Sequence, residues 1–174
     1  ALLDYAIENN IELLDCVPSQ LQLLIESGLF RDSNYQPMAM LPGGEAIDEN
    51  TWKILQANGS SQIFNMYGPT ECTVDSTTCL INESDLKPNI GQPLSNAEIY
   101  ILDSNNNPVP IGVTGELCIS GNGLARGYLN QPGLTAEKFI PHPFKNNGER
   151  LYRTGDLARF LPNGEIEYVN RIDG

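Results

Sequence analysis

The chain has 174 residues, 40% of them hydrophobic, and carries a formal net charge of −12. This length is enough for one ordinary domain or two small ones with a packed core. The acidic balance argues against nucleic acids and anionic membranes as partners, because both require clustered Lys and Arg. No apolar run approaches the roughly 20 residues that span a bilayer, and no basic segment typical of a signal peptide opens the chain. We therefore expect a soluble cytoplasmic protein.

Helical and extended patterns alternate through the first half of the chain. The predicted elements are, in order, a helix over residues 2–9, a strand over 11–17, a helix that begins at Pro18, a strand over 38–41, a helix that follows an N-cap at Asp48 and ends near Gly59, a strand over 62–66 and an extended run over 74–81. Proline suits the first turn of a helix, and Asp is a favoured N-cap. Such alternation is typical of a mostly parallel sheet with flanking helices.

Short strands separated by turn-forming residues dominate the second half. We predict these strands, with clusters of Asn, Pro and Gly between them, over Ala97–Leu102, 115–120, 156–160 and 166–169. Regularly spaced short strands indicate a small antiparallel barrel or sandwich. Residues 87–89 have the composition of a linker, so we place a domain boundary between 1–88 and 89–174. The predicted fold class is α/β, a mostly parallel sheet with flanking helices followed by a small antiparallel β-barrel.

The cysteines do not have the spacing of a metal site. Cys16, Cys72, Cys79 and Cys118 form no CxxC pair, and the single histidine, His142, is far from them in sequence. Structural zinc sites usually place two ligands within a few residues of each other. We expect no zinc, and reduced thiols that serve mainly in packing.

The segment Asn-Met-Tyr-Gly-Pro-Thr-Glu at residues 65–71 follows a short apolar run, where a buried strand would end. Gly-Pro forces a turn there, and ligands of open α/β sheets bind beyond the carboxyl ends of the strands. Tyr67 can stack on a purine, Thr70 can donate to a phosphate, and Glu71 can hold Mg²⁺ through oxygen. These groups predict an ATP-binding corner. The alternative is a proline turn with incidental polar neighbours.

The same segment resembles the adenine-binding motif of adenylate-forming enzymes, in the version found in amino-acid adenylation domains of nonribosomal peptide synthetases. Three further strings are similar to motifs of that family and follow its order. They are Gly-Gly-Glu-Ala at 43–46, the GELCISGNGLARGYL string at 115–129, and Tyr-Arg-Thr-Gly-Asp-Leu at 152–157. The resemblance covers nearly the whole chain and implies part of the large N-terminal subdomain of such an enzyme.

The resemblance also implies roles for individual residues. Thr70 and Glu71 are the expected catalytic residues, Thr70 against the α-phosphate and Glu71 as the Mg²⁺ ligand. The expected nucleotide-binding residues are Gly44, Glu45, Asn65, Tyr67, Thr70, Asp156, Tyr168 and Arg171. Asp173 matches the hinge of a C-terminal lid.

From the residue types alone, several of these positions have an alternative interpretation. Asp156 follows a Thr-Gly turn and can accept hydrogen bonds from a ribose diol, or it can simply cap the turn. The Gly-Gly-Glu-Ala string can be a plain strand-to-helix turn. We interpret residues 115–129 as mainly architectural, with contact of Glu116 or Arg126 to a ligand as the alternative.

The substrate pocket is only partly readable. By motif position it is lined by Cys16, Leu41, Gly43, Met66, Val74 and Asp75. A buried carboxylate needs a partner, so Asp75 favours an amino acid with a cationic or amide side chain, such as Arg, Lys or Gln. The alternative is that Asp75 points to solvent or to a backbone amide.

Parts of the family pattern are missing. No Gly/Ser/Thr-rich phosphate loop precedes residue 65, and a lid with a catalytic Lys is expected beyond residue 174. We expect a piece of a longer enzyme that is inactive in isolation. The parent would activate an amino acid with ATP as aminoacyl-AMP and load it on the phosphopantetheine of a carrier protein, beside a condensation domain. The alternatives are a piece of an acyl- or aryl-CoA ligase, or a non-catalytic piece that binds nucleotide weakly.

Overall fold

The computed structural model describes residues 2–31, 35–84 and 87–173. The chain divides into two compact units. The first contains Ala1–Met66 and Cys79–Pro88, and the second contains Tyr67–Thr78 and Asn89–Gly174. The domain boundary between residues 88 and 89 stays a prediction. The two units differ from it in that Tyr67–Thr78 belongs to the second unit.

The first unit is a parallel sheet with helices. Its helices are α1 (Leu2–Glu8), α2 (Pro18–Glu26) and α3 (Glu49–Gln56), and its strands are β1 (Leu13–Cys16), β2 (Ala39–Pro42) and β3 (Gln62–Tyr67), whose last residue belongs to the second unit. β1 pairs with β2 and β2 with β3, both in parallel. The predicted α/β class and its parallel sheet are confirmed.

Local chemistry sets the ends of these helices. Pro18 is the first residue of α2, as its missing N–H allows. The carboxylate of Asp48 accepts hydrogen bonds from the backbone N–H groups of Asn50 and Thr51, which have no partner inside α3. Trp52 and Leu55 of the same helix are 1% and 0% exposed. Capping and burial therefore fix α3 together.

The second unit is built on an antiparallel sheet. After β4 (Thr77–Leu80), which starts in this unit, come β5 (Gln92–Pro93), β6 (Ala97–Leu102), β7 (Gly115–Gly121), α4 (Pro132–Lys138), β8 (Phe139–Pro141), β9 (Arg150–Phe160) and β10 (Ile166–Arg171). The strand order is β10-β9-β7-β6, and β8 pairs with β9. A hydrophobic cluster that includes Leu117, Ile119, Tyr152 and Ile166 forms the core.

The antiparallel strands do not close into the predicted barrel within the described residues. β6 ends one side of the sheet. On the other side, Ile166 of β10 pairs with residues before β5: the Ile90 N–H donates to the Ile166 carbonyl and the Ile166 N–H donates to the Gly91 carbonyl, both at 2.8 Å. Because these residues occupy the outer edge of β10, that edge does not meet β6, and the sheet stays open.

The start of β9 also differs from the prediction. The strand begins at Arg150 and not at residue 156. The sequence Arg-Thr-Gly-Asp at 153–156 has polar residues and a glycine, which reads locally as a turn. In the sheet Arg153 lies opposite Cys118 of β7, and residues 154–156 fall in a register shift before the next pair, Glu116 with Leu157. The local turn signal is thus realised as a tight turn within β9, because pairing with β7 continues on both sides of the register shift.

Glycine is required at Gly121, and this gives a test of the second unit. Its φ is +129°, and a Cβ there would lie 2.0 Å from the Asn96 carbonyl oxygen. We expect Gly121→Ala to lower the free energy of unfolding by about 2 kcal/mol or more. Gly133→Ala is the matched control, because Gly133 lies in α4 with nothing within 4 Å of its added Cβ. Urea unfolding should show no loss for that control, and equal midpoints for the two variants would contradict this fold.

Candidate functional site

The loop after β3 is folded tightly on itself. A Cβ on Gly68 would lie 2.2 Å from the Val74 carbonyl oxygen and 2.7 Å from the Ser76 nitrogen, so only glycine fits. The Ser76 N–H donates to the Tyr67 carbonyl at 2.8 Å. Between these ends lies a short 3₁₀ turn, Thr70–Cys72. The loop thereby gives Tyr67 and Glu71 fixed backbone positions.

The backbone of this loop is strained just after the Thr70–Cys72 turn. Thr73 and Val74 have φ of +64° and +67°. β-branched residues rarely adopt this left-handed region, at a cost of about 1–3 kcal/mol each. The Thr73 hydroxyl donates to the Gly123 carbonyl at 2.7 Å, which helps to hold the conformation.

Asp156 lies at the centre of a polar cluster in the second unit. The residue is 7% exposed. The Tyr67 hydroxyl donates to its Oδ2 at 2.6 Å, and the Arg171 guanidinium donates to its Oδ1 at 3.2 Å. Arg171 lies opposite Asp156 in the pairing of β9 with β10, and the Tyr168 ring is 6.4 Å from the Tyr67 ring. Four residues expected to bind nucleotide are thus brought together.

The state of Tyr67 suits this cluster. Burial, together with the adjacent Asp156 carboxylate, raises the pKa of the Tyr67 hydroxyl well above its ordinary value. The phenol therefore stays protonated and can only donate to the carboxylate. The ring packs partly against the hydrophobic core of the second unit and remains partly accessible.

Glu116 of the GELCISGNGLARGYL string fixes the turn before Asp156. Its Oε2 accepts hydrogen bonds from Arg153 Nε at 2.9 Å and Arg153 Nη2 at 2.5 Å, and its Oε1 accepts from the Gly155 N–H at 3.2 Å. The Thr154 hydroxyl accepts from the Asp156 N–H at 2.9 Å and donates to the Leu117 carbonyl at 2.6 Å. Glu116 is therefore bonded within the fold. Its one sequence signal was a carboxylate inside an otherwise apolar strand.

The glycine-rich segment after β7 packs against the Thr70–Cys72 turn. The Ala125 N–H donates to the Glu71 carbonyl at 2.7 Å. The Tyr128 hydroxyl donates to Glu71 Oε1 at 2.5 Å and lies 3.3 Å from the Tyr152 hydroxyl. The string interpreted as mainly architectural thus holds a predicted site residue, whereas its Arg126 side chain is exposed.

These contacts set the charge of Glu71. Burial would raise the pKa of its carboxyl, but hydrogen bonds from Tyr128 and Tyr152 and the nearby positive charge of Lys138 outweigh burial and hold that pKa below its ordinary value. Glu71 is accordingly a carboxylate at neutral pH. Carboxylate oxygens are common Mg²⁺ ligands in proteins, so this residue fits the expected metal. Thr70, beside it, is exposed.

The first unit brings together three of the residues expected in the substrate pocket. The Gly43 N–H donates to the Cys16 carbonyl at 3.2 Å, and Gly43 forms a parallel bridge to Met66. A Cβ on Gly43 would lie 2.8 Å from the Met66 carbonyl oxygen. Glycine therefore permits β2 and β3 to approach at their carboxyl ends. Leu41, in β2, is half-buried.

The remaining predicted residues have ordinary structural surroundings. Glu45 accepts hydrogen bonds from the backbone and hydroxyl of Ser19, at 3.0 and 3.1 Å, in the first turn of α2. Gly44 has φ of +83°, and Asn65 is buried. Asp173 accepts a hydrogen bond from Arg171 Nε at 3.1 Å.

Val74 and Asp75 are exposed and belong to the second unit. The argument for a cationic or amide substrate depended on a buried Asp75 carboxylate. The exposure of Asp75 agrees with the alternative, in which this side chain points to solvent or to a backbone amide.

Within the described ranges, no helix has the length and apolar character needed to cross a bilayer. In the same part of the chain, no three His, Cys, Asp or Glu side chains are grouped so that they could hold a metal ion. None of the four cysteines, all of which lie in the described ranges, forms a disulfide bond, and Cys72, Cys79 and Cys118 are buried.

Comparison with known families identifies the class to which this chain belongs. The model of the family described as "AMP-binding enzyme" matches residues 1–129. The chain belongs to the AMP-binding enzyme family. The family resemblance predicted from the motifs is confirmed.

Curated relatives are peptide synthetases. The chain is 53% identical over 137 residues to tyrocidine synthase 3 of Brevibacillus parabrevis, covering 78% of this chain and 2% of the relative. It is 50% identical over 164 residues to bacitracin synthase 3 of Bacillus licheniformis, covering 94% of this chain and 2% of that protein. The chain therefore spans only a few per cent of the length of these relatives.

Solved structures of adenylation domains have the same fold. The N-terminal subdomain of Klebsiella oxytoca NpsA in complex with 3-hydroxybenzoyl-AMSN matches with a TM-score of 0.85 and 27% identity, over 97% of this chain and 42% of that one. The four-domain nonribosomal peptide synthetase holo-AB3403, bound to AMP and glycine, matches with a TM-score of 0.87 and 36% identity, over 99% of this chain and 13% of that one.

The hydrogen bond from Tyr128 to Glu71 can be tested by titration. Tyr128→Phe removes a donor to the ionised carboxylate, so the pKa of Glu71 should rise toward its ordinary value. A ¹³C-detected NMR titration of the side-chain carboxyls measures this shift. A lowered pKa of Glu71 stabilises the folded state at pH values above the pKa that Glu71 has in the unfolded chain. Wild type should therefore be more stable than Tyr128→Phe at neutral pH, and this difference in free energy of unfolding should vanish as the pH falls through the pKa of Glu71 in the folded state.

Tyr100→Phe is the matched control for that titration. The Tyr100 hydroxyl donates to Glu98 at 2.9 Å and contributes to the lowered pKa of Glu98. This variant should shift Glu98 and leave Glu71 unchanged. An unaltered Glu71 titration in Tyr128→Phe would contradict the hydrogen bond.

Proposed function

We propose that this chain forms part of the nucleotide site of an enzyme that activates an amino acid with ATP as aminoacyl-AMP. The observation that carries the proposal is the buried Asp156 carboxylate, held between Tyr67 and Arg171 in a chain of the AMP-binding family. In the reaction, the amino-acid carboxylate attacks the α-phosphorus, a new O–P bond forms, and the bond to the departing pyrophosphate breaks.

Asp156 is suited to bind the ribose. Its Oδ2 already accepts a hydrogen bond from a hydroxyl, that of Tyr67, at 2.6 Å. Each carboxylate oxygen can accept more than one hydrogen bond, so a ribose hydroxyl could donate to Asp156 beside Tyr67. Arg171, which is paired with the carboxylate at 3.2 Å, would lie on the phosphate side, and the rings of Tyr67 and Tyr168 would flank the base.

Glu71 and Thr70 would act at the phosphates. Mg²⁺ in nucleotide sites is commonly held by one or two carboxylates together with phosphate oxygens, and the ionised Glu71 can supply such a ligand. When bound, the metal would neutralise charge that develops on the phosphates. The exposed hydroxyl of Thr70 would donate to the α-phosphate. For Gly44, Glu45 and Asn65 of the first unit, a part in binding the nucleotide stays a prediction from the family resemblance.

The larger assembly is inferred from the relatives. We propose a carrier-protein domain, whose phosphopantetheine thiol accepts the aminoacyl group, and a condensation domain as partners of this chain within one synthetase. One structural neighbour is described as an artificially fused adenylation–PCP di-domain, which supports the first. The same proposal includes three further points. Asp173 would act as a hinge, the enzyme would be cytoplasmic, and residues outside this chain would be needed to complete catalysis.

The exchange of pyrophosphate into ATP tests the site. In the full-length enzyme, Glu71→Ala or Asp156→Ala should lower amino-acid-dependent ATP–pyrophosphate exchange by roughly tenfold or more, since each removes a charge that acts on the nucleotide or its metal. Glu149→Ala is the control, because Glu149 is partnered with Lys145 and Asn147. Asp156→Asn keeps the shape of the side chain and removes its charge, so it separates loss of the charge from misfolding. Exchange at the wild-type rate in both site variants would refute the assignment.

The choice of amino acid can be tested with a substrate panel. The expected pocket residues of the first unit, Cys16, Leu41, Gly43 and Met66, are mainly apolar, and Asp75 is the one charged residue among those expected from the motifs. If the Asp75 carboxylate faces the substrate, exchange should be fastest with Arg, Lys or Gln, and Asp75→Asn should slow Arg and Lys selectively. Faster exchange with Leu or Phe would eliminate this role for Asp75.

A further inference from the structure

A cavity of about 220 Å³ in the second unit lies beside the turn that precedes Asp156. Three cationic side chains, Lys138, Arg153 and Arg171, line it together with Gly155. The acidic residues that line it are Glu116, Glu137 and Asp173. A concave site with converging cations is a candidate for binding an anion.

Two of the three cations have carboxylate partners. Arg153 is bonded to Glu116 at 2.5 Å, and Arg171 is bonded to Asp156 at 3.2 Å and to Asp173 at 3.1 Å. Lys138, the last residue of α4, has no ion pair within 4 Å among the described residues. Its ammonium group can therefore accept a new anionic partner without breaking a salt bridge.

The position of Lys138 relates it to both predicted nucleotide carboxylates. A Cβ placed on Gly155 would lie 4.0 Å from Lys138 Nζ and 3.4 Å from Arg171 Nη2, so the two cations approach the same turn. The charge of Lys138 contributes to the lowered pKa of Glu71, the predicted Mg²⁺ ligand, and of Asp173. The lysine is thus within electrostatic reach of the ribose side and the phosphate side of the site.

We infer that Lys138 binds a phosphate group of the nucleotide, as a further cation of the adenylation site. The inference rests on the proposed function. A charge-assisted hydrogen bond from an ammonium to a phosphate oxygen is stronger than a neutral one, and a half-buried lysine in a cavity is less screened than a surface one. Lys138 would act on the phosphate and leave the nucleoside unaffected.

A purely structural role makes a different prediction. A lysine in the last turn of a helix interacts favourably with the helix dipole, by about 0.3–1 kcal/mol. Lys53 also lies in the last turn of its helix, α3, where it is exposed in the first unit. Lys53→Ala therefore reproduces the loss of a helix-end charge without touching the cavity, and it is the matched control.

The experiment compares AMP with adenosine in the full-length enzyme. Isothermal titration calorimetry should show that Lys138→Ala weakens AMP binding by roughly tenfold while adenosine binding is unchanged, because only AMP carries the phosphate. In ATP–pyrophosphate exchange the same variant should raise the KM for ATP. Lys138→Arg should retain most of the AMP affinity, and Lys53→Ala should behave as wild type.

Two results would overturn the inference. In the first, Lys138→Ala binds AMP with the affinity of the wild type, whether or not it loses as much thermal stability as Lys53→Ala. In the second, AMP and adenosine weaken equally. A wild-type enzyme that binds neither AMP nor adenosine and shows no exchange would instead overturn the proposed function itself, together with this inference.

Discussion

The buried carboxylate of Asp156 is the constraint on which the second unit depends. An ionised carboxylate removed from water is costly unless charged or hydrogen-bonding partners compensate. Asp156 has such partners from two directions: the Tyr67 hydroxyl from the loop after β3 and the Arg171 guanidinium from β10. A charge-assisted hydrogen bond contributes about 1.5–3 kcal/mol, so both partners are needed to offset the burial. The aromatic ring, the acid and the base are consequently held at fixed positions.

A second carboxylate, Glu116, supports the first. It holds Arg153 and the Gly155 N–H, and so shapes the turn from which Asp156 projects. In the same unit, Tyr128 performs a similar task for Glu71. The GELCISGNGLARGYL string thus orders both acidic residues of the proposed site without an assigned contact to the ligand.

The sequence was most informative where the signal is local. The helices at Pro18 and after Asp48 and the parallel strands that end near Cys16 and Met66 follow from caps, turns and apolar periodicity. The predicted barrel failed because closure depends on which strand edges meet, and the pairing of Ile166 with Gly91 joins residues 75 positions apart. Local patterns contain no information about such an edge.

The site follows the same division. Tyr67, Thr70 and Glu71 are close together in the sequence, and their chemistry can be read from residue types, but their partners are distant: Tyr128 is separated from Glu71 by 57 residues and Tyr67 from Asp156 by 89. A motif was enough to predict Asp156 as a site residue. The hydrogen bonds by which Glu116 and Tyr128 support the site are visible only in the folded chain. The exposure of Asp75 likewise depends on tertiary packing.

The central claim is that Asp156 and Tyr67 form one nucleotide-binding cluster. It is tested most directly by titrating AMP into protein labelled at the carboxyl carbons of Asp and the ring carbons of Tyr, followed by NMR. The account predicts that the Asp156 carboxyl and the Tyr67 ring shift together with a single dissociation constant, while Asp103, bonded within its own turn, stays fixed. Unchanged Asp156 and Tyr67 signals at saturating AMP would contradict it.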